Sequence, residues 1–567
     1  MYEYNYENLK RITQTENGKK LIDEVEKAYS LLYKNKPITV TNYSLQKQIY
    51  TTGNRELWQD IYFERRKRLC YLQLLAIAND EYLEDLENVL AVILEEYTWV
   101  LPAHNILKDK TFDYTIIDLF SAETGFYLSE TLFVFGDKLS PDIRVRIKTE
   151  LKNRIIDNYE NREQLWYGIR NNWAAVCAGG VGLTYMYAFP ERFEMVKDRL
   201  FSTMECYLSG TREDGVTPEG VGYWVYGFGF FICFFDIYNQ LYGDYPEILT
   251  RNKITNTLKY IEDAHMGGTC YLPFSDGGYM KTYVHTSISY AAKRLFGDRY
   301  TLPEYKIDLD FVMQPETVGK SRWIRVLYGV DKFGLGVKKE QEIKTIYYDE
   351  SQVFIRKNGN YTFAAKCGHN LEMHNHNDVG SFQIVVDGKS MIVDAGPAEY
   401  TWQYFNDGDY RYSEKVFGAG SMGHSVPIVN DGYQTEGLRF SGKVLEQTDF
   451  NFKIDIAKAY EGIDQLIVDY QMKDNGVKVE YDCTGIEDNI TFRFLSFNQP
   501  KIYDDGSVDV GVKLKSCSGL KPNITKINFN GHISVAKSVG SVEIYAIDFK
   551  ISNKKDVKEQ FEFIAND

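Results

Sequence analysis

The sequence predicts a multidomain α+β protein, with a helical domain over about residues 1–335 and an antiparallel β domain over about 336–567. Three observations lead there. The chain has 567 residues, too many for one hydrophobic core. Apolar residues recur at three- and four-residue spacing through roughly the first 310 positions. From about residue 340 the pattern changes to alternation around turn signals.

In the first part, Leu83, Leu86, Leu90 and Ile93 line one face of a helix. The stretch from Asn172 to Tyr187 is apolar and rich in small residues, and Pro190 ends it. Gly179, Gly180 and Gly182 would let neighbouring helices approach closely. Long helices with short polar connections imply helical hairpins, packed as a bundle, a solenoid or a toroid. In the second part, two β-rich runs flank Asp387-Gly388 between Ser381 and Asp394, and Asp-Gly between such runs signals a hairpin. The runs Gln465 to Met472 and Val477 to Cys483 alternate in the same way. A small β subdomain from about residue 485 is a further expectation.

Composition narrows the function. A net charge of -15 argues against a general nucleic-acid binder, yet leaves room for a local basic pocket that takes an anionic sugar. No run of about twenty apolar residues suggests a membrane span. The opening MYEYNYENLKRITQTENGKK lacks the apolar core of a secretory signal. A cytoplasmic location is therefore expected, or a secreted or periplasmic one if a leader has been removed. The eight cysteines are dispersed without a CxxC pair, so neither a disulfide framework nor a cysteine metal site is expected. Aromatic residues make up 15%, with 44 tyrosines, which suits glycan binding and core packing alike.

Three of the eight histidines fall in Gly368-His369-Asn-Leu-Glu-Met-His374-Asn-His376-Asn-Asp378. In an extended strand His374 and His376 would share one face. Pairing about Asp387-Gly388 would set Asp394 opposite Ser381, where the histidine segment enters, and His424 follows in Gly-Ala-Gly-Ser-Met-Gly-His. Two imidazoles and a carboxylate with an open position suit Zn²⁺; the same groups would equally serve to satisfy a sheet edge. In the helical half, Arg170-Asn171-Asn172-Trp173 opens a helix, where an asparagine can be simply the N-cap. Asp214-Gly-Val-Thr-Pro-Glu219-Gly-Val-Gly-Tyr223-Trp224-Val-Tyr226 opens another, and an aromatic stripe there suits packing as well as ligand contact.

Together, Asn-Asn-Trp at 171–173, Pro-Glu-Gly-Val-Gly-Tyr-Trp-Val-Tyr at 218–226, His-Asn-His-Asn-Asp-Val-Gly-Ser-Phe at 374–382, Val-Asp-Ala-Gly at 393–396 and the His424 segment resemble the heparinase II/III family of polysaccharide lyases and its alginate-lyase relatives. The resemblance runs from roughly residue 95 to 430. It implies an incomplete α/α toroid followed by an antiparallel β-sandwich. It also implies β-elimination on an anionic uronic-acid oligo- or polysaccharide, of the glycosaminoglycan or alginate kind. By matching position, Asn172 would meet the substrate carboxylate, Tyr223 would be the catalytic tyrosine with His374 as its partner, and Tyr410 a further active-site tyrosine. Arg170, Asn171, Glu219, Trp224, Tyr226 and Tyr400 would contact substrate. His376, Asp394 and His424 would bind a structural Zn²⁺. The heparinase II type has histidine where this chain has Asn172, which leaves the uronate epimer open. Two other classes stay in view: a glycoside hydrolase using Asp214 and Glu219 as its carboxylate pair, and a non-catalytic glycan-binding protein.

Overall fold

The computed structural model describes residues 2–105, 112–277, 284–300, 305–306, 323–333, 336–337, 343–398, 400–413, 416–529 and 542–566. The end of the expected helical stretch and residue 335, at the expected domain boundary, lie outside them. The chain forms two compact units. The first comprises Met1–Thr211, Trp224–Thr255 and Tyr283–Lys338, and the second Arg212–Tyr223, Asn256–Thr282 and Lys339–Asp567. Two segments from the first half of the sequence thus belong to the second unit.

The first unit is helical. Its described helices include Glu16–Leu32, Glu56–Ala78, Leu83–Leu94, Leu119–Phe135, Asn172–Ala188, Pro190–Gly210, Gly229–Tyr242 and Thr286–Phe296. The expected stripe on Leu83–Leu94 buries Leu86, Leu90 and Ile93 fully, whereas Leu83 at its start does not reach the core. Asn172–Ala188 is buried almost all round, which explains its small residues. A β-carbon on Gly180 would sit 2.6 Å from the carbonyl oxygen of Ala122, and one on Gly182 would lie 2.3 Å from the Phe234 ring. Close helix packing therefore requires glycine at both positions. Buried charges are paired: Arg65 and Arg66 share Glu96, and Arg325 meets Glu130 at 2.7 Å. One helix, Val221–Tyr242, is long and apolar enough to cross a membrane, although the sequence showed no such run. Its most apolar window is 89% buried, so its composition is that of a core helix.

The second unit is built from antiparallel sheets. A five-stranded sheet runs in the order Lys389–Ile392, Phe382–Val386, Tyr361–Lys366, Val353–Asn358 and Lys344–Tyr348. An eight-stranded sheet contains the expected pair Gln465–Lys473 and Gly476–Thr484, and their alternating burial fits a sheet with one face in the core. A four-stranded sheet is formed by Pro427–Val429, Asn489–Ser496, Val542–Ser552 and Asn523–Phe529. Phe354, Phe363, Phe382, Phe452, Phe494, Phe549 and Phe561 join these sheets in one core. The strands after residue 485 are woven into this body: Asp556–Ala565 pairs with Gly476–Thr484 inside the eight-stranded sheet. None of the eight cysteines is joined in a disulfide.

The Asp387-Gly388 hairpin forms as read, with Lys389 opposite Val386. Both turn residues have positive φ, 51° and 68°, as a type I′ turn demands. Its register, however, shifts between Ser390 and Ile392.

The Gly180 contact yields a stability prediction. Gly180→Ala should cost about 1–3 kcal/mol through overpacking, measured as a lower thermal midpoint. An unchanged midpoint would mean that the two helices separate freely to admit a methyl group.

Candidate active site

The site is assembled in the second unit on two tight turns. The first is Pro218-Glu219-Gly220, where Gly220 has φ +95° and a β-carbon would lie 2.1 Å from Gly277 Cα. The Gly222 amide donates to the Gly277 carbonyl at 2.5 Å. Only glycine permits this approach, which presses the segment carrying Glu219 and Tyr223 onto the turn that carries Asp276. Tyr223 ends the short helical turn Val221–Tyr223 and is half-buried.

The second turn holds the histidines. The expected strand does not form between 371 and 381, and His374 instead has φ +55°. Left-handed backbone at a non-glycine residue is costly and persists only where surroundings impose it. Here Asp276 supplies that hold. His374 Nδ1 lies 2.5 Å from Asp276 Oδ2, and His376 Nε2 lies 3.0 Å from Oδ1. The Tyr400 hydroxyl donates to Oδ2 at 2.7 Å and the Tyr404 hydroxyl to Oδ1 at 3.0 Å. Ser275, beside it, also has a positive φ of 59°. Burial disfavours a charge on Asp276, but the hydrogen bonds and charge of His374 and His376 outweigh it and hold its pKa well below the usual range.

Tyr223 stacks on His374, with ring centroids 4.3 Å apart and planes 28° apart. Its hydroxyl is 3.0 Å from that of Tyr400. Tyr400 gives its one hydroxyl proton to Asp276, so Tyr223 is the donor in this pair. On the other side, His374 Nε2 lies 3.5 Å from a Glu219 carboxylate oxygen. Burial lowers the His374 pKa, yet its bond to Asp276 and the charges of Asp276 and Glu219 raise it above the ordinary imidazole value. The phenol and the imidazole thus face one another.

His376, Asp394 and His424 each present a ligand atom within 4.8 Å of the others, and all three are buried. The expected route to this meeting is corrected. The hairpin bulge shifts the register and strand pairing ends at Ile392, so Asp394 is not set opposite Ser381. Instead the Ala395 amide donates to the Gly423 carbonyl at 2.9 Å, which brings Asp394 beside His424. His424 Nδ1 lies 2.8 Å from Asp394 Oδ2. Burial lowers the His424 pKa, while Asp394 and Asp378 raise it to a net value above normal. His376 Nδ1 and His424 Nε2 are buried without a hydrogen-bond partner among the described residues. Two imidazoles with such nitrogens and one carboxylate fit a three-ligand zinc site.

The remaining candidates divide. Tyr400 joins the Asp276 cluster, whereas Tyr410 packs beside Ala398, Val416 and Ala419 and has no hydrogen bond to Asp276. Tyr404, rather than Tyr410, donates to Asp276, and Arg411 lies 4.5 Å over the Tyr404 ring. In the first unit, Asn171 is the N-cap of Asn172–Ala188 and accepts from the Trp173 amide. Asn172 is buried and Arg170 exposed. Two of the expected substrate contacts lie in the core. Trp224 is fully buried and packs against Phe228, and Tyr226 is buried with its hydroxyl on Glu123. Asp214 binds the Ser351 amide and hydroxyl and the Val216 amide, the work of a turn-forming aspartate.

Sequence reasoning missed Asp276, Tyr404 and Arg411. Ser275-Asp276-Gly277 reads as an ordinary turn; the only signal was its aromatic surroundings, since it is one of six Asp-Gly pairs in the chain.

No family model matches the chain, and no curated protein sequence matches it. Solved structures do. Heparinase III aligns with TM-score 0.59 at 10% identity, over 96% of this chain and 91% of that one. The heparan sulfate lyase of Pedobacter heparinus aligns with TM-score 0.54 at 12% identity, over 96% and 83%. The chondroitin AC lyase of Streptomyces coelicolor A3, in complex with chondroitin sulphate, aligns with TM-score 0.55 at 11% identity, over 99% and 82%. At such identities the likeness is one of fold, and the chain has the fold shared by these polysaccharide lyases.

Proposed function

We propose that this protein is a polysaccharide or oligosaccharide lyase that cleaves uronic-acid-containing glycans by β-elimination. The observation that carries the reading is the Tyr223 phenol stacked on His374 and hydrogen-bonded to Tyr400, above a buried carboxylate. The shared fold supports it. So does the order of the matching motifs, with a helical unit read as the incomplete α/α toroid and the sheets as the β-sandwich.

In the reaction a base removes the proton on C5 of the uronide. The electron pair left behind forms the C4–C5 double bond, the C4–O bond breaks, and the departing oxygen takes a proton. Negative charge builds toward the carboxylate, so donors or cations must meet it there. On this reading the Asn172 amide has that role, as the resemblance implies. Tyr223 acts as acid, and also as base where proton and leaving group share a sugar face. Where they lie on opposite faces, His374 takes the proton. Asp276 and Glu219 beside His374 raise its pKa against the effect of burial, and its ring lies against the Tyr223 phenol.

Zinc would be held by His376, Asp394 and His424. When bound it would supply a structural tie between the histidine turn and the sheet, rather than activate water for hydrolysis. Asp276 on the far nitrogen of His376 is the outer partner that such a ligand calls for. The hydrolase reading loses support because Asp214 is committed to Ser351.

Tyr223→Phe should lower turnover of a uronide substrate by about 100- to 10,000-fold, while glycan binding persists. Undiminished turnover would remove Tyr223 from the chemistry. Chelation should lower both the melting temperature and the activity, with recovery on adding zinc; if neither responds, the three residues hold no metal.

A further inference from the structure

We infer that Asp276 is a positioning residue which, through one carboxylate, fixes the ring orientation and the proton position of both His374 and His376. It thereby couples the proposed metal site to the Tyr223 site.

The geometry leaves little freedom. An ionised carboxylate only accepts hydrogen bonds and offers about four lone-pair sites. Four donors fill them: His376 Nε2 and Tyr404 on Oδ1, His374 Nδ1 and Tyr400 on Oδ2. Both imidazole nitrogens facing Asp276 must therefore carry hydrogen. The two histidines are held in opposite senses. His374 is gripped at Nδ1 and turns Nε2 toward Glu219. His376 is gripped at Nε2, and its buried Nδ1 has no hydrogen-bond partner among the described residues. A nitrogen in that state has its lone pair available, as a ligand to the proposed metal needs. Tyr400 extends the same grip to Tyr223.

The side chain is fully buried, and the residues beside it are not relaxed. Ser275 has φ +59° and His374 φ +55°. Neither conformation persists unless contacts impose it, and Asp276 makes the contacts common to both turns. Glycines 220 and 277 bring the Tyr223 segment against the same turn. Movement of the Asp276 carboxylate would thus reorient a metal-site histidine and the phenol's stacking partner together.

The activity arm rests on the elimination reading, and the spectroscopic arm does not. With only eight histidines in the chain, ring-¹⁵N-labelled protein freed of metal gives a tractable spectrum at alkaline pH. In the wild type, His374 should carry its proton on Nδ1 and His376 on Nε2. In Asp276→Asn at least one of them should become a mixture of tautomers, because an amide oxygen cannot serve four donors. With a uronide substrate the same variant should lose about 10–100-fold in kcat, with KM little changed. Should Asp276→Asn fail to fold, Tyr404→Phe removes one donor and leaves the carboxylate. It should then shift the His374 and His376 signals but not those of His104. Unchanged tautomers in Asp276→Asn, or unmoved signals in Tyr404→Phe, would overturn the inference. A wild type inert toward every uronide would overturn the proposed function, while the nitrogen signals would still decide the role of Asp276.

Discussion

One buried carboxylate organises the second unit. Asp276 accepts from two histidines and two tyrosines, and a charge so deeply buried is tolerable only when its hydrogen-bonding capacity is met. That requirement explains features which look unrelated in the sequence. Glycines stand at 220 and 277 because a side chain at either would collide with the opposing backbone. His374 adopts a left-handed backbone because its ring is held. Tyr400 and Tyr404 turn their hydroxyls inward rather than to solvent. The site is a polar knot, and polar knots specify one arrangement when every member is satisfied.

Around that knot the chain supplies two kinds of support. The sheets of the second unit share an aromatic core, in which Phe363, Phe382 and Tyr470 fix the strand entered by the histidine segment. Lys366 binds Asp378 at 2.8 Å and Glu372 at 3.2 Å, and Glu372 in turn takes Arg212 at 2.9 Å. These buried pairs clamp the histidine turn at both ends. The first unit solves a different problem, that of close helix packing, with glycines at 180 and 182 and with paired internal charges.

Much of this was legible from residue order. Periodicity gave the helices and the alternating strands, because burial of one face is a local property of a segment. Asp387-Gly388 announced its hairpin through turn chemistry alone. The cluster of histidines announced a site, and the family motifs singled out Tyr223, His374, His376, Asp394 and His424, which the fold gathers. What stayed hidden depends on long-range contact. Asp276 is about a hundred residues from either histidine, and nothing local separates it from a turn aspartate. Trp224 and Tyr226 sit in the same motif as Tyr223, yet both are core residues; spacing reports a face of a helix, not what covers it. The bulge after Ser390 shifts a register that simple counting about the turn cannot anticipate.

The most direct measurement is the ultraviolet absorbance of products from a panel of uronide polymers and oligomers incubated with the purified protein. At least one member should give an unsaturated product, with absorbance rising as chains are cut and no water consumed. Cleavage that releases reducing ends without that absorbance would contradict it, because water rather than elimination would then have broken the bond.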